Sequence, residues 1–343
     1  MFELLIATAL SADPKIINGA DAGLDDYPMT GGMLMDAEAD MGSWGSYDFR
    51  MLVCSSTLIA PDAVLLAAHC VDPDSFTYGQ GDLSDVDIRW TREVDLTDFD
   101  GSRRNPEWPE DAVGAWDWVA HPDFDLFGME VGIADNADVA LLFLDAPITD
   151  VEHAYLPSAD EAGQLAEGAD VDVVGWGQQV ATDGYSEPPA GTYAIKQVGT
   201  SWIAELGDNE MKIGELEDDV RKCHGDSGGP SFMEVTADTE VSTRLVGVTS
   251  HAYDRSDCEE TGGVDTRVDA YLDWIDGELR ARCEDGTRSW CEEPGIVAAP
   301  VPVVEDPVAQ GEEVRRFGAC STGGLAPTAL YALLGLMALR RRG

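Results

Sequence analysis

The chain has 343 residues, enough for two ordinary domains or for one large β-protein with appended segments. Hydrophobic residues make up 44% of it and aromatic residues 8%, which excludes a globally disordered chain. Its 21 basic and 66 acidic residues give a net charge of −45. Such a chain repels nucleic acid and anionic lipid, so neither is expected as a partner of the folded body.

The acidity has two interpretations. The first, which we favour, is solubility in a salty medium. The second is a calcium site in the acidic stretch 72–87, but no EF-hand spacing occurs there. No CxxC pair or histidine cluster with zinc spacing is present, so no metal and no cofactor are predicted.

The N-terminal segment 1–12 is interpreted as a signal peptide, because FELLIATALSA resembles the apolar part of a secretory signal. It is short and carries Glu3 where a basic residue is usual, which suggests that a basic stretch is missing upstream. The alternative is a buried first strand. Residues 13–15 are interpreted as a short pro-segment.

From about Ile16 to Thr266, short apolar runs are separated by Gly, Pro, Asp and Asn. Six runs are predicted to be strands: MLVCSSTLI, AVLLAAH, ADVALLFL, DVDVVGWG, TRLVGVTS and GGVDTRV. The Asp-rich segment 79–117 is interpreted as long surface loops between shorter strands. Because long helical periodicity is nearly absent, an all-β sandwich or barrel is predicted.

One amphipathic helix is predicted near the end of this region. Its buried stripe would be formed by Val268, Tyr271, Leu272, Ile275 and Leu279. Beyond it the composition becomes rich in Pro, Val and Glu, which predicts an acidic extended linker over 284–319.

The last segment, 320–343, contains an apolar run followed by three arginines. About 15 helical residues at about 1.5 Å each reach about 22 Å, short of a bilayer core of about 30 Å. A trimmed sorting signal with transient membrane contact therefore fits better than a permanent anchor, with the arginines on the cytoplasmic side. The tail resembles the MYXO-CTERM sorting signal, and the resemblance implies that Cys320 is processed and lipidated. The alternative is a plain membrane helix with a spare thiol.

The seven cysteines sort by sequence neighbourhood into three candidate disulfides and one remaining thiol. The candidate pairs are Cys54–Cys70, Cys223–Cys258 and Cys283–Cys291, which leaves Cys320. Such disulfides predict an oxidising, extracytoplasmic compartment, so the protein is expected to be secreted or attached to the cell surface.

Three motifs carry the chemistry, in the order LAAHC at 66–70, ADVALL at 137–142 and HGDSGGP at 224–230. A serine hydroxyl is a poor nucleophile unless an imidazole takes its proton and a carboxylate orients that imidazole. His69, Asp138 and Ser227 are therefore predicted to be a catalytic triad. The alternatives are a buried core histidine, a strand-capping aspartate with Asp135 as its rival, and a glycine-rich structural turn.

The glycines around Ser227 are explained by what the backbone must do there. The N–H groups of Gly225 and Ser227 are predicted to form an oxyanion hole, worth roughly 2.7–4 kcal/mol per donor. Gly228 and Gly229 would permit the tight turn that lifts the serine out.

The motifs and their His, Asp, Ser order resemble the chymotrypsin/trypsin family from about Ile16 to Cys283, together with VVGWG at 173–177 and HPDF at 121–124. The resemblance implies a protease domain over 16–283, built from two six-stranded antiparallel β-barrels with a C-terminal α-helix. It implies a serine endopeptidase that acts on protein or peptide substrates through an acyl-enzyme. The alternative is a catalytically silent relative that serves as a binding or adhesion module.

The same resemblance implies an activation site. Cleavage after Lys15 would free the Ile16 ammonium to pair with Asp226, so an activating protease is an expected partner. Until that pair forms, Asp226 is expected to lack a buried partner and the oxyanion loop to be disordered.

The resemblance also implies which residues select the substrate. The base of the pocket would be Arg221, flanked by Lys222 and, beyond the cysteine, by His224. The other pocket residues would be Ser250, His251, Ala252, Gly263 and Asp265. A cationic base predicts cleavage after Glu or Asp, unless Asp265 pairs with Arg221 and leaves the pocket neutral.

Overall fold

The computed structural model describes residues 16–129, 131–182, 188–237, 240–254, 258 and 261–299. The predictions for residues 1–15 and 300–343 lie outside the described residues. These are the signal peptide, the pro-segment with Lys15, most of the linker, and the sorting signal with Cys320.

Strands dominate the described chain. They are β1 (Ala20–Asp21), β2 (Thr30–Asp40), β3 (Ser46–Ala60), β4 (Ala63–Leu66), β5 (Leu83–Thr91), β6 (Val113–Ala120), β7 (Ala140–Leu144), β8 (Asp170–Gly175), β9 (Gln197–Leu206), β10 (Glu210–Ile213), β11 (Pro230–Ala237), β12 (Glu240–Ala252) and β13 (Gly263–Arg267). The α-helices are α1 (Pro73–Thr77), α2 (Ala159–Ala162) and α3 (Leu272–Glu284).

The strands close into two antiparallel six-stranded barrels. The first has the order β2-β3-β4-β7-β6-β5. The second has the order β8-β9-β10-β13-β12-β11, closed by the pairing of β8 with β9, and β1 adds to its β9 edge. The prediction of two six-stranded barrels with a C-terminal helix is therefore confirmed.

The apolar strands β4 and β7 contribute to the core of the first barrel. All four residues of β4 are buried, and they pair in register with β7, as in Val64 opposite Leu142. The second barrel has its own core, with Val173, Ile203 and Met211 among its buried residues. Each such side chain contributes about 1.5–3 kcal/mol by leaving water.

The Asp-rich segment 79–117, which the sequence predicted to be long loops between shorter strands, contains β5 and the start of β6. In β5, Ile88 and Trp90 are buried while Asp85 and Asp87 alternate with them on the other face. This period of two is a strand signal, which the acidic residues on the outer face obscured.

The C-terminal part of the body begins with a 3-10 turn, Val268–Tyr271, which leads into α3. Of the predicted stripe, Val268, Tyr271, Ile275 and Leu279 are buried, whereas Leu272 is half-buried. No helix of the described residues is long and apolar enough to cross a membrane.

The body continues past Cys283, where the sequence interpretation placed its end. Arg288 Nη2 lies 2.6 Å from Asp62 Oδ1, and the two side chains are 0% and 1% exposed. Asp62 also accepts a hydrogen bond from the Trp290 backbone N–H, at 2.8 Å. Residues 284–299 therefore belong to the folded body and not to an extended linker, because their buried ion pair fixes them to the first barrel. We call residues 284–299 the strap.

Candidate active site

His69 is carried by a 3-10 turn, Ala68–Cys70, that follows directly after β4. The Cys54–Cys70 disulfide ties this turn to β3, with an S–S distance of 1.99 Å and a Cα–Cα distance of 6.1 Å. Ala68 and Cys70 on either side of the histidine are fully buried, whereas the imidazole is 18% exposed. The turn is thus rigid and its ring faces the cleft.

Asp138 is completely buried and lies two residues before β7, not within the strand as the apolar run suggested. Its Oδ1 accepts from the His69 backbone N–H at 2.9 Å, and its Oδ2 lies 2.7 Å from His69 Nδ1. Ser250 Oγ donates to the same Oδ2 at 2.6 Å. These three partners compensate the desolvation of a buried carboxylate.

The His69–Asp138 contact shifts the pKa of both groups. Burial alone would lower the pKa of His69, but the charge and hydrogen bond of Asp138 outweigh it and raise that pKa. Burial likewise would raise the pKa of Asp138, and its contacts with His69 and Ser250 lower it. Because Nδ1 donates to the carboxylate, neutral His69 presents Nε2 as its proton acceptor.

Ser227 is held on its turn by contacts with both barrels. The Ser227 carbonyl accepts from Ser55 N at 2.9 Å, and Gly228 N donates to the Thr249 carbonyl at 2.8 Å. Gly228 has φ +76°, and an added Cβ would lie 2.5 Å from the Ser55 carbonyl oxygen. Glycine is therefore required here both for conformation and for space.

The oxyanion candidates lie on the same turn. Gly225 has φ +93°, and its carbonyl accepts from Ser55 Oγ at 2.9 Å. An added Cβ would lie 2.6 Å from the Tyr193 ring. Among the described residues, neither the Gly225 nor the Ser227 N–H donates to an acceptor. Two donors thus remain for a developing negative charge.

Asp226, between these two residues, is 1% exposed. Its Oδ1 accepts from Gly177 N at 2.8 Å and its Oδ2 from Cys223 N at 2.9 Å. Burial raises its pKa to about 6 despite these bonds. Two backbone N–H groups thus hold the Asp226 carboxylate in place.

Ile16 is 0% exposed and packs in the core of the second barrel, with φ +38°. This left-handed conformation is a genuine outlier for a β-branched residue. The next residue, Ile17, forms a β-bridge with Arg221, and its carbonyl accepts from the Arg221 N–H at 3.0 Å.

A pocket of about 220 Å³ opens beside Ser227. It is lined by Lys222, Cys223, His224, Ser227, Thr249, Ser250, His251, Ala252, Cys258, Gly262 and Gly263. The sequence-predicted residues Lys222, His224, Ser250, His251, Ala252 and Gly263 are thus brought together around one cavity. The Cys223–Cys258 disulfide forms part of the wall.

Arg221 is not among the residues that line this pocket. Its Nη2 donates to the Glu217 carbonyl at 3.0 Å, and its side chain is buried. Lys222 takes the place that the sequence assigned to Arg221: its Nζ lies 2.7 Å from Asp265 Oδ2. The expectation of an Arg221 base, paired or unpaired with Asp265, is corrected to a Lys222–Asp265 pair.

A second cavity, of about 400 Å³, flanks His69. It lies between α1 and the loop before Asp138 and is lined by His69, Asp74, Ser75, Tyr78, Leu126, Phe127, Met129 and Ser250. Tyr78 and Phe127 are 71% and 70% exposed. Sequence reasoning missed this cleft because it lies between loops that are distant along the chain.

One group of potential metal ligands occurs among the described residues: Cys54, His69 and Cys70. The two cysteines form a disulfide, so their sulfurs are not thiolates, and His69 already contacts Asp138. The group therefore does not offer a metal site. The third predicted pair, Cys283 with Cys291, is also joined.

Two closed barrels, with a buried Asp138 paired to His69 and a serine turn held between them, define a serine endopeptidase of the two-barrel class. The Trypsin family model matches residues 35–275, and the chain belongs to this family. It acts on protein or peptide substrates.

Known proteins resemble the chain over most of its length. Phenoloxidase-activating factor 3 of Holotrichia diomphalia is 27% identical, over 79% of this chain and 74% of its own. Chymotrypsin-like elastase family member 1 of Homo sapiens is 27% identical, over 77% and 92%. Trypsin of Saccharopolyspora erythraea is 27% identical, over 78% of this chain and 99% of its own.

Proposed function

We propose that the protein hydrolyses peptide bonds through an acyl-enzyme on Ser227, with His69 as general base and Asp138 as its orienting carboxylate. One observation carries this assignment. Asp138 is fully buried and contacts both the backbone N–H and the Nδ1 of His69, which leaves Nε2 to accept a proton. No described feature favours a silent binding module, since the His–Asp pair and both free N–H donors are retained.

The chemistry follows from these roles. Ser227 Oγ attacks the substrate carbonyl carbon while its proton passes to His69 Nε2. The resulting oxyanion is stabilised by the N–H groups of Gly225 and Ser227. The C–N bond then breaks, and the leaving amine takes the proton from His69. Water then attacks the acyl-enzyme ester by the same steps, which releases the carboxylic acid product and restores Ser227.

The protein is made as a zymogen that is cut after Lys15 by another protease. Two observations support this. Ile16 is held in a left-handed conformation that costs of the order of 1–3 kcal/mol. Asp226 is buried with a pKa of about 6, so an ammonium partner would stabilise its ionised form. Cleavage supplies that ammonium and relieves the conformation at Ile16.

The mature enzyme works outside the cytoplasm. Three disulfides are typical of proteins that fold in an oxidising compartment. We extend the proposal to the tail: the segment from Cys320 directs the protein to the cell surface through transient membrane contact.

Labelling with a fluorophosphonate probe tests the assignment. The full chain is treated with immobilised trypsin to cut after Lys15, the N-terminus is sequenced, and the protein is then labelled. We expect labelling after the cut, much weaker labelling before it, and none for Ser227→Ala. An unlabelled, correctly cut protein would overturn the endopeptidase assignment. Equal labelling before and after the cut would overturn only the zymogen.

A further inference from the structure

Lys222 lines the pocket beside Ser227 and forms a buried ion pair with Asp265, and we call this pair the floor of the pocket. Lys222 and Asp265 have side chains that are 2% and 0% exposed. We propose that this pair makes the floor electrically neutral and that the enzyme cuts after uncharged apolar residues such as leucine, methionine or phenylalanine. The proposal rests on the proposed function, because it assigns the substrate class of the same site.

The ammonium group of Lys222 has no donor left for a ligand. It carries three N–H groups, and three oxygens surround Nζ. Asp265 Oδ1 and Oδ2 lie at 2.9 and 2.7 Å, and Ser231 Oγ lies at 2.9 Å. Lys222 therefore presents its aliphatic stem to the pocket, and a glutamate or aspartate side chain would find no available cation there.

The carboxylate of Asp265 is equally occupied. Ser231 Oγ donates to its Oδ2 at 2.7 Å, in addition to both contacts with Lys222. Asp265 is fully buried and does not line the cavity, whereas its partner Lys222 does. An arginine or lysine side chain would therefore meet a carboxylate that is already neutralised.

A charged substrate could bind this floor only by displacing one partner of the pair. The displaced partner would stay buried without compensation, which is strongly unfavourable. Lys222 is the only lysine, arginine, aspartate or glutamate among the described residues that line the pocket. The paired charges of the floor thus disfavour charged substrate side chains of either sign.

The remaining wall suits an apolar side chain. Ala252 and the Cys223–Cys258 disulfide contribute apolar surface, and Gly263, which has no side chain, keeps the cavity open. A Cβ on Gly263 would lie 3.7 Å from the nearest atom, the His251 carbonyl oxygen. A volume of about 220 Å³ leaves room for a large side chain, whose transfer from water would favour binding.

The test measures kcat/KM on fluorogenic peptides that differ only in the residue before the scissile bond: leucine, methionine, phenylalanine, arginine or glutamate. Full-length protein cut after Lys15 is used, after removal of the immobilised trypsin. Active sites are counted by fluorophosphonate labelling. We expect leucine, methionine or phenylalanine to exceed arginine and glutamate by at least about tenfold.

Single variants of the pair should change the preference in opposite directions. Lys222→Met exposes the Asp265 charge, so arginine should gain at least about tenfold relative to leucine. Asp265→Asn releases an N–H of Lys222, so glutamate should gain by a similar factor. The double variant Lys222→Met/Asp265→Asn has no charge on the floor and should keep the apolar preference. It remains informative even where a single variant fails to fold.

The outcomes separate the two proposals. A wild-type protein that labels but prefers arginine or glutamate overturns the neutral floor and leaves the endopeptidase assignment intact. A double variant that labels but loses the apolar preference also overturns the neutral floor. Failure of the correctly cut wild type to label overturns the proposed function itself.

Discussion

Ser250 Oγ donates to Asp138 Oδ2 at 2.6 Å, the same oxygen that lies 2.7 Å from His69 Nδ1. Ser250 belongs to β12 of the second barrel, whereas Asp138 precedes β7 of the first. The carboxylate that orients the imidazole is therefore positioned by both barrels. The bond also helps to keep Asp138 ionised, because hydrogen bonds to a carboxylate lower its pKa.

Replacement of Ser250 by alanine should slow the cleaved enzyme without preventing its folding. Hydrogen bonds to charged groups contribute about 1.5–3 kcal/mol, so kcat/KM should fall by about 10- to 100-fold. Ser250→Thr keeps the hydroxyl and should retain more activity than alanine. Equal rates for wild type and Ser250→Ala, with folding confirmed by circular dichroism, would contradict this role.

The pH dependence of the cleaved enzyme should report His69. The base must be neutral to accept the Ser227 proton, and Asp138 raises the pKa of His69 above its ordinary value of 6.5. We expect kcat/KM to decline as pH falls, with a midpoint above 6.5. Asp138→Asn should slow the reaction by up to about 10⁴-fold, because it no longer fixes the tautomer. A wild-type midpoint below 6.5 would contradict the raised pKa.

The raised pKa of His69 affects stability and activity in opposite ways: protonation of the imidazole stops catalysis but stabilises the fold. His69 binds its proton more tightly in the folded state, so it stabilises the fold fully below pH 6.5. That contribution is lost as pH rises through the folded pKa. Unfolding by urea at several pH values, compared between wild type and His69→Gln, measures it.

In the uncut chain, Asp226 should destabilise the fold when it ionises. Its pKa is raised from 3.8 to about 6, so the folded state holds the proton more tightly. The free energy of unfolding should therefore decrease as pH rises from about 4 through 6, by about 3 kcal/mol at most. Asp226→Asn should lack this decrease, which urea titrations of both uncut proteins would reveal. Parallel pH profiles for the two would refute the shift.

The strap should contribute substantially to stability. Arg288→Met leaves the Asp62 carboxylate buried without its Arg288 partner. Loss of one partner of a buried ion pair costs about 3–5 kcal/mol. The unfolding midpoint in urea measures the effect. Arg103→Ala is the matched control, since the Arg103–Asp98 pair is well exposed and its loss should leave the midpoint almost unchanged. Similar midpoints for both variants would exclude a structural role for the strap.

Apolar runs identified six of the thirteen described strands, which was enough to predict an all-β class, whereas the two-barrel arrangement followed from the resemblance of the motifs to the chymotrypsin/trypsin family. β2 escaped notice because Gly31 and Gly32 interrupt its apolar pattern. Both glycines are required by close neighbours: a Cβ on Gly31 would lie 2.3 Å from the Trp90 ring. Such packing depends on which strands become neighbours, and no local pattern records it.

Only part of the active site could be predicted from the sequence, because some of its contacts also depend on which strands become neighbours. The motifs marked His69, Asp138 and Ser227, whereas the partner of Asp265 depends on register. In β13, Asp265 lies opposite Met211 and Thr249, and its carboxylate meets Lys222 from a separate turn. The pairing of Asp62 with Arg288 joins positions 226 residues apart. Contacts of this kind arise from tertiary structure alone.

The Cys54–Cys70 disulfide has a consequence for the cell that makes this enzyme. The bond anchors the turn that carries the general base, and it closes only 16 residues of chain. Cytosolic thiols keep such cysteines reduced. Copies in which the bond has not formed would lack the covalent tie that holds the imidazole, so we expect full activity only after folding in an oxidising compartment.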